Sequence, residues 1–129
     1  MAGYSATPQV RKLGIKPGHI VVVDDADTAW ELDGTPVEPV AEAQSADVVL
    51  TFVRTAAVLE SKLESFERVI FPAGSLWIAW PRKAAGHVSD MTENLIRDAA
   101  LKRGLVDVKV AAIDNDWSGL KLVWRKENR

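Results

Sequence analysis

The chain has 129 residues, of which 47% are hydrophobic and 26% are charged, so it is long enough for one packed domain and too short for two. Sixteen Lys and Arg residues stand against eighteen Asp and Glu residues, and the net charge of −2 gives no general attraction to nucleic acid or to an anionic membrane. The absence of cysteine excludes disulfides, thiolate metal sites and cysteine nucleophiles. We therefore expect no nucleic-acid partner, no membrane partner and no metal site.

Targeting signals are not evident in the sequence. The first residues contain no apolar stretch of the kind found in secretory signals, and Arg11 and Lys12 follow early. The longest uncharged run, residues 69–81, has thirteen residues and includes Pro72 and Gly74, whereas a membrane-spanning helix needs about twenty apolar residues. A cytoplasmic protein is the expectation.

The first predicted elements are a short helix and a buried strand. Thr7 suits a helix N-cap, Pro8 the first helical position and Gly14 the end of the helix. Residues 19–23 form a continuous and mostly β-branched apolar run. Such a run is typical of a strand that is covered on both faces, as in a parallel sheet.

The signals are weaker in the segment that follows this strand. Residues 26–32 predict a short helix that ends near Gly34. Pro36 and Pro39 bracket a candidate strand at 37–40. Because proline cannot donate a hydrogen bond to a neighbouring strand, this segment is predicted to lie at a sheet edge at most.

A second strand and helix are predicted more clearly. Residues 47–53 form an apolar strand, and Thr55 is placed to cap the helix that comes next. The apolar positions of that helix recur at helical spacing: Leu59, Leu63, Phe66 and Ile70.

The remaining elements complete an alternating pattern. Residues 75–80 predict a third strand, and Asp90 has capping-box spacing to Glu93 ahead of a helix that stops at Gly104. Two last strands, 106–113 and 119–124, are joined by a short polar loop and predict an antiparallel hairpin. Alternating strands and helices indicate an α/β fold. We predict one domain over residues 1–129, with a three-layer, Rossmann-like and mostly parallel sheet.

From Asp47 onward the order of elements resembles the second half of a class I S-adenosylmethionine-dependent methyltransferase. The resemblance is carried by the strand that begins at Asp47, the segment Phe71-Pro-Ala-Gly-Ser-Leu-Trp77, the helix that ends at Gly104 and the terminal hairpin. It implies a methyltransferase-like fold.

The residues of the first loop differ from the pattern of an active methyltransferase. Such enzymes place glycines after the first strand, because only glycine lets the backbone approach the cofactor closely. Here the loop contains Asp24, Asp25 and Asp27, and no glycine stands between Gly18 and Gly34. We therefore expect no bound cofactor.

A second resemblance covers nearly the whole chain. It is carried by four segments: Gly3-Tyr-Ser-Ala-Thr-Pro8, Lys12-Leu-Gly-Ile-Lys-Pro-Gly18, Leu76-Trp-Ile-Ala-Trp-Pro81 and Trp117-Ser-Gly-Leu-Lys-Leu-Val123. These segments resemble a family of small bacterial proteins classed only as a domain of unknown function. That resemblance implies no activity, cofactor or catalytic residue.

Ile20-Val-Val-Val-Asp-Asp25 resembles the first strand of phosphoacceptor receiver domains, whose paired acids bind magnesium. Phe52, however, stands where the phosphoacceptor aspartate would be. Solvated acids explain this loop better than a receiver site, although a nonspecific magnesium contact to the three aspartates stays open.

The five tryptophans divide into two groups. Trp77 and Trp80 differ by three positions on one strand, so they are expected to face opposite sides of the sheet and to pack under helices. Trp117 lies in the polar hairpin loop, where we expect it to project as an exposed anchor for a partner or to fold back over the strand ends. The alternative is that it covers the hairpin and contributes only local burial.

In open α/β sheets, ligands bind beyond the carboxyl ends of the parallel strands. The candidate site is the set of residues at those ends: Asp24, Asp25, Asp27, Arg54, Trp80, Arg82, Lys83, His87, Asp114 and Trp117. If the strands that precede Asp24 and Arg54 are neighbours, as in methyltransferases, Arg54 lies near Asp24 or Asp25. The mixture of acids and bases suits a polar small ligand and a peptide equally.

The leading hypothesis is a non-catalytic, methyltransferase-like domain that acts through contacts with an unidentified protein partner, as an accessory or regulatory subunit. The alternative is a small-molecule-binding protein or enzyme that uses the strand ends, including a divergent methyltransferase. Self-association is the third reading.

Overall fold

The computed structural model describes residues 8–34 and 37–129. Thr7, the predicted helix cap, and Pro36, which precedes the candidate strand at 37–40, therefore lie outside the described residues. The elements are α1 (Gln9–Leu13), β1 (Val21–Asp24), β2 (Val48–Phe52), α2 (Leu59–Phe66), β3 (Ser75–Pro81), α3 (Glu93–Lys102), β4 (Leu105–Ala112) and β5 (Trp117–Trp124). Single 3₁₀ turns occupy Ala56–Val58, Lys83–Ala85 and Lys126–Asn128.

The five strands form one open sheet in the order β1-β2-β3-β5-β4. The first three strands are parallel, and β5 is antiparallel to both β3 and β4. This arrangement confirms the predicted mixed α/β class and the predicted closing hairpin. Because β5 inserts between β3 and β4, the hairpin extends the sheet on the β3 side, and β1 stays at the opposite edge.

Each face of the sheet carries its own apolar core. Leu63 of α2 and Ile96 of α3 pack on one face, while Leu13 of α1 packs on the other. Trp77 belongs to the α1 face and Trp80 packs against the opposite one, as their spacing predicted. On the α1 face, an irregular segment that contains Trp30 and Leu32 supplies much of the remaining cover.

The prediction of a helix over residues 26–32 is wrong, because the structure has an irregular segment with one turn there. Trp30 and Leu32 both pack against the α1-face core. Positions two apart point to different sides of a helix, so a helical segment could not bury both. Trp30 is instead anchored by its ring contact with Phe52 (centroids 5.0 Å apart) and by an indole hydrogen bond to Asp114 Oδ2 (3.0 Å).

The capping predictions also need correction. The N-cap of α3 is Thr92, whose Oγ1 accepts a hydrogen bond from the backbone N–H of Leu95 (3.1 Å). The carboxylate of Asp90 accepts instead from the N–H of Ala56 (2.8 Å), at the turn that precedes α2. Thr55 makes no side-chain capping bond there. Asp90 therefore supplies the acceptor that Thr55 was predicted to supply, which no local spacing could indicate.

The candidate edge strand at 37–40 is reduced to a single parallel bridge between Val40 and Val22. The N–H of Val40 donates to the carbonyl of Val21 (2.9 Å), and the N–H of Val23 donates to the carbonyl of Val40 (3.1 Å). This bridge therefore covers part of the outer edge of β1.

Candidate functional site

The carboxyl ends of the three parallel strands line a groove of about 510 Å³, which we call the rim groove. Its walls come from three parts of the chain. Asp27, Arg54 and Thr55 follow β1 and β2. Pro81, His87 and Val88 end or follow β3, and Asp116 and Trp117 stand at the start of β5. The groove lies at the position where the fold class predicts a ligand site.

The loop after β1 is closed by the half-buried cation of Lys62. Asp24 Oδ2 accepts hydrogen bonds from Thr51 Oγ1 (2.8 Å) and from Lys62 Nζ (2.6 Å). Lys62 Nζ also lies 3.5 Å from Asp25 Oδ2. Burial lowers the pKa of Lys62, but the hydrogen bond with Asp24 and the charges of Asp24 and Asp25 outweigh it, so the pKa is raised. Lys62 therefore stays charged and does not supply a general base at neutral pH.

Arg54 closes the same loop from the other side. Its Nη2 lies 2.7 Å from Asp27 Oδ1, and its Nη1 donates to the backbone carbonyl of Asp25 (3.0 Å). The backbone of Asp25 has φ of 61°, a left-handed conformation that is rare outside glycine. The expectation that Arg54 lies near the aspartates after β1 is confirmed, and so is the neighbouring placement of the two strands.

Trp117 is buried, with 8% of its surface exposed, so its prediction as an exposed anchor is wrong. Its ring meets Phe52 edge to face (centroids 4.8 Å apart, 88° between planes). The reason is that β5 begins at Trp117, earlier than predicted. Its N–H is held by Asp114 Oδ1 (2.9 Å), and the side chain faces the α1-face core.

The other predicted site residues fall into two sets. His87 Nε2 lies 3.0 Å from Asp116 Oδ1, and both residues line the rim groove. Arg82 Nη1 donates to the carbonyl of Asp114 (3.2 Å), and these two residues are outside the lining of that groove. Lys83 is exposed on the turn after β3. Trp80 packs against the opposite core and does not face the groove.

Sequence reasoning missed Lys62. It lies on α2 next to Leu63, and nothing in its neighbours distinguishes it from a solvated lysine. Only the packing of α2 across the sheet brings its ammonium to the end of β1, 38 positions away from Asp24.

A second groove, of about 450 Å³, lies beside β1, and we call it the edge groove. Its apolar surface comes from Val23, Trp30, Leu32 and Pro39, and its charged groups are Glu31 and Glu38. Both glutamates are exposed. No cation stands among the described residues that line it. The rim groove has acids paired with bases, whereas the edge groove has acids beside an apolar surface.

The two glutamates of the edge groove belong to a longer run of acids in the sequence. The sequence has no base between Asp24 and Arg54, and the structure leaves all the acids of this block exposed apart from Asp24: Asp25, Asp27, Glu31, Asp33, Glu38, Glu42 and Asp47. The sequence indicated solvated acids here. The placement of Glu31 and Glu38 beside Trp30 and Leu32 depends on the irregular path of the segment after β1.

Over the described ranges, 8–34 and 37–129, no group of three or more His, Asp or Glu side chains is placed to hold a metal ion. The three aspartates after β1 are engaged instead with Lys62 and Arg54. Within those same ranges, none of the helices has the length and apolar character needed to span a membrane.

Comparison with known proteins finds similarity among solved structures. No family model matches the chain, and no curated protein matches it. Among solved structures, the chain is similar to the B. subtilis M1A22 tRNA methyltransferase TrmK, with a TM-score of 0.42 and 14% identity. The similarity covers 64% of this chain and 33% of that one, so the chain spans about a third of the length of the methyltransferase.

Proposed function

We propose that this chain is a non-catalytic, methyltransferase-like domain that acts as an accessory or regulatory module by binding another protein. The loop after β1 supports the absence of catalysis, because Rossmann-like folds bind their nucleotide cofactors at this loop. Here Lys62 and Arg54 engage the carboxylates of that loop at 2.6 and 2.7 Å. A cofactor would have to displace these ion pairs, and the loop has no glycine to let it approach the backbone.

The edge groove carries the proposal. Glu31 and Glu38 stand beside the apolar surface of Trp30 and Leu32, and the described part of the chain places no cation in the lining of this groove. Exposed carboxylates next to a partly exposed apolar surface fit a segment that presents a basic side chain beside an apolar one. We therefore assign to the partner a segment that carries Lys or Arg and one apolar contact residue.

The surrounding charge favours the same class of partner. Among the acids that stay exposed along residues 25–47, Asp25 and Asp27 pair with Lys62 and Arg54. The negative potential beside β1 therefore comes from Glu31, Glu38 and their neighbours, in a domain whose net charge is only −2. Such a field speeds the encounter with a basic partner, and added salt weakens it. Complex formation should therefore decline as the salt concentration rises.

The test is purification of the tagged protein from its native cells, followed by quantitative mass spectrometry. The expected result is one partner in stoichiometric amount, which is lost from the double variant Glu31→Lys, Glu38→Lys. The matched control reverses two exposed acids on the helices, Glu64→Lys and Asp98→Lys, and should retain the partner. A complex that survives the first variant, or that is lost equally from the control, would overturn the assignment.

A second candidate is supported by the rim groove. Its volume of about 510 Å³ lies within the range of small-molecule sites, roughly 300–1,000 Å³. His87 and Asp116, which lie 3.0 Å apart, line it. A small polar ligand there would make the chain a binding protein or a divergent methyltransferase. Direct titration with S-adenosylmethionine separates this candidate from the first.

A further inference from the structure

A further pocket lies at the other end of the sheet, away from both grooves. It has a volume of about 560 Å³, and we call it the basal pocket. Trp124 ends β5, and Gly104 directly precedes β4. Because β5 runs antiparallel to β3, these residues lie at the end of the sheet where the parallel strands begin.

The basal pocket holds a guanidinium on an aromatic platform. The Cζ of Arg68 lies 5.4 Å from the ring centroid of Phe71 and 5.4 Å from that of Trp124. The two rings meet edge to face, with centroids 5.4 Å apart. The indole of Trp124 is itself held by a hydrogen bond to the carbonyl of Glu67 (2.8 Å). This packing restricts the guanidinium before any ligand arrives.

The acids of this region are already engaged. Arg103 Nη1 lies 3.1 Å from Glu67 Oε2, and its Nη2 lies 3.0 Å from Glu60 Oε2. Glu67 is the acid that lines the pocket. Arg68 and Lys102 also line it, and neither forms an ion pair with a carboxylate of the described residues. The pocket therefore presents two uncompensated cations.

From this geometry we infer that the basal pocket binds the phosphate group of a small phosphorylated molecule. The fork of Arg68 can donate two parallel hydrogen bonds to two phosphate oxygens, and the ammonium of Lys102 supplies a second charge to a dianion. The pocket is larger than a phosphate group, so it leaves room for the organic part of a phosphate ester. This site is independent of the proposed partner surface, which has the opposite charge and lies elsewhere on the sheet.

The experiment is NMR titration of the full chain labelled with ¹⁵N. The probes are inorganic phosphate and pyrophosphate, with sodium chloride and sodium acetate as controls at matched ionic strength. Saturable shifts are expected for the Arg68 Nε–H, the Trp124 indole N–H and the Gly104 amide. Arg68→Gln and Lys102→Gln should each raise the dissociation constant at least about tenfold. Arg68→Lys, which keeps the charge and loses the fork, should raise it less.

The control variant is Arg11→Gln, an exposed cation on α1, which should bind phosphate like the unmodified chain. Thermal unfolding of each variant checks that it is folded, and Arg68→Lys keeps the test informative if Arg68→Gln is not. The proposal fails if neither probe causes saturable shifts at these groups. It also fails if both glutamine variants bind like the control, or if acetate binds as tightly as phosphate.

Discussion

The guanidinium carbon of Arg54 lies 5.1 Å from the centroid of the Trp117 ring, so one side chain covers the buried tryptophan and also pairs with Asp27 (2.7 Å). This contact joins the apolar core to the charged loop after β1. The rim of the sheet is therefore part of the packed structure. Substitutions of these two residues should lower the free energy of unfolding, whatever they do to binding.

Trp117→Ala should lower the free energy of unfolding by roughly 3–5 kcal/mol, because a buried tryptophan is removed and a cavity remains. Urea unfolding measures this loss. Trp117→Phe, which keeps an aromatic ring against Phe52, should cost less. A loss below about 1 kcal/mol for the alanine variant, together with loss of the partner, would restore the exposed-anchor reading.

The ion pairs of Lys62 should make the free energy of unfolding depend on pH in the alkaline range. The folded state raises the pKa of Lys62 above its ordinary value of 10.5. The resulting stabilisation is complete below that value and is lost as the pH rises through the folded-state pKa. The free energy of unfolding, followed by urea titration at increasing pH, should therefore fall in this window. Lys62→Met should remove this part of the decline.

The pKa of Lys121 is shifted in the opposite direction from that of Lys62. Burial, together with the charge of Lys109, lowers the pKa of Lys121. A lowered folded-state pKa means that the stability contribution of this group increases as the pH rises from the folded-state pKa towards the ordinary one. Lys121→Met should therefore raise stability at neutral pH, by roughly 0.2–1 kcal/mol for relief of the cross-strand repulsion. A destabilised Lys121→Met variant would contradict this account.

The left-handed backbone of Asp25 predicts a difference between two variants. Asp25→Gly and Asp25→Ala both remove the carboxylate, but only glycine adopts φ of 61° without a steric cost. The glycine variant should be the more stable of the two by about 1 kcal/mol. Chemical unfolding of both variants in parallel measures the difference. Equal stabilities would show that this conformation costs nothing here.

The strands could be predicted from the sequence, but the path of the segment that forms the edge groove could not. The strands are continuous apolar runs such as 47–53, and their burial on both faces follows from composition. The path of residues 26–32 depends on contacts of Trp30 with Phe52 and Asp114, which are distant in sequence. Local helical propensity therefore gave the wrong element, and Lys62 could not be assigned to the loop after β1.

S-adenosylmethionine should leave the melting temperature unchanged. A ligand at a hundred times its dissociation constant stabilises a protein by about 2.7 kcal/mol, which a thermal-shift assay detects easily. The ion pairs of Asp24 and Asp27 are the reason for the expected absence of binding. A clear rise at millimolar cofactor, abolished by Asp24→Asn or by substitution of Arg54, would favour the small-molecule alternative.

Site-specific photo-crosslinking in the native cells tests the partner surface most directly. A photoreactive residue replaces Leu32 in the edge groove or, as a control, Leu101, an exposed residue of α3 (43%). We predict that the probe at Leu32 links the chain to the partner recovered by purification, and that Glu31→Lys with Glu38→Lys abolishes the product. The probe at Leu101 should give no such product. An equal yield from both positions, or a product that survives charge reversal, would contradict the edge groove as the binding surface.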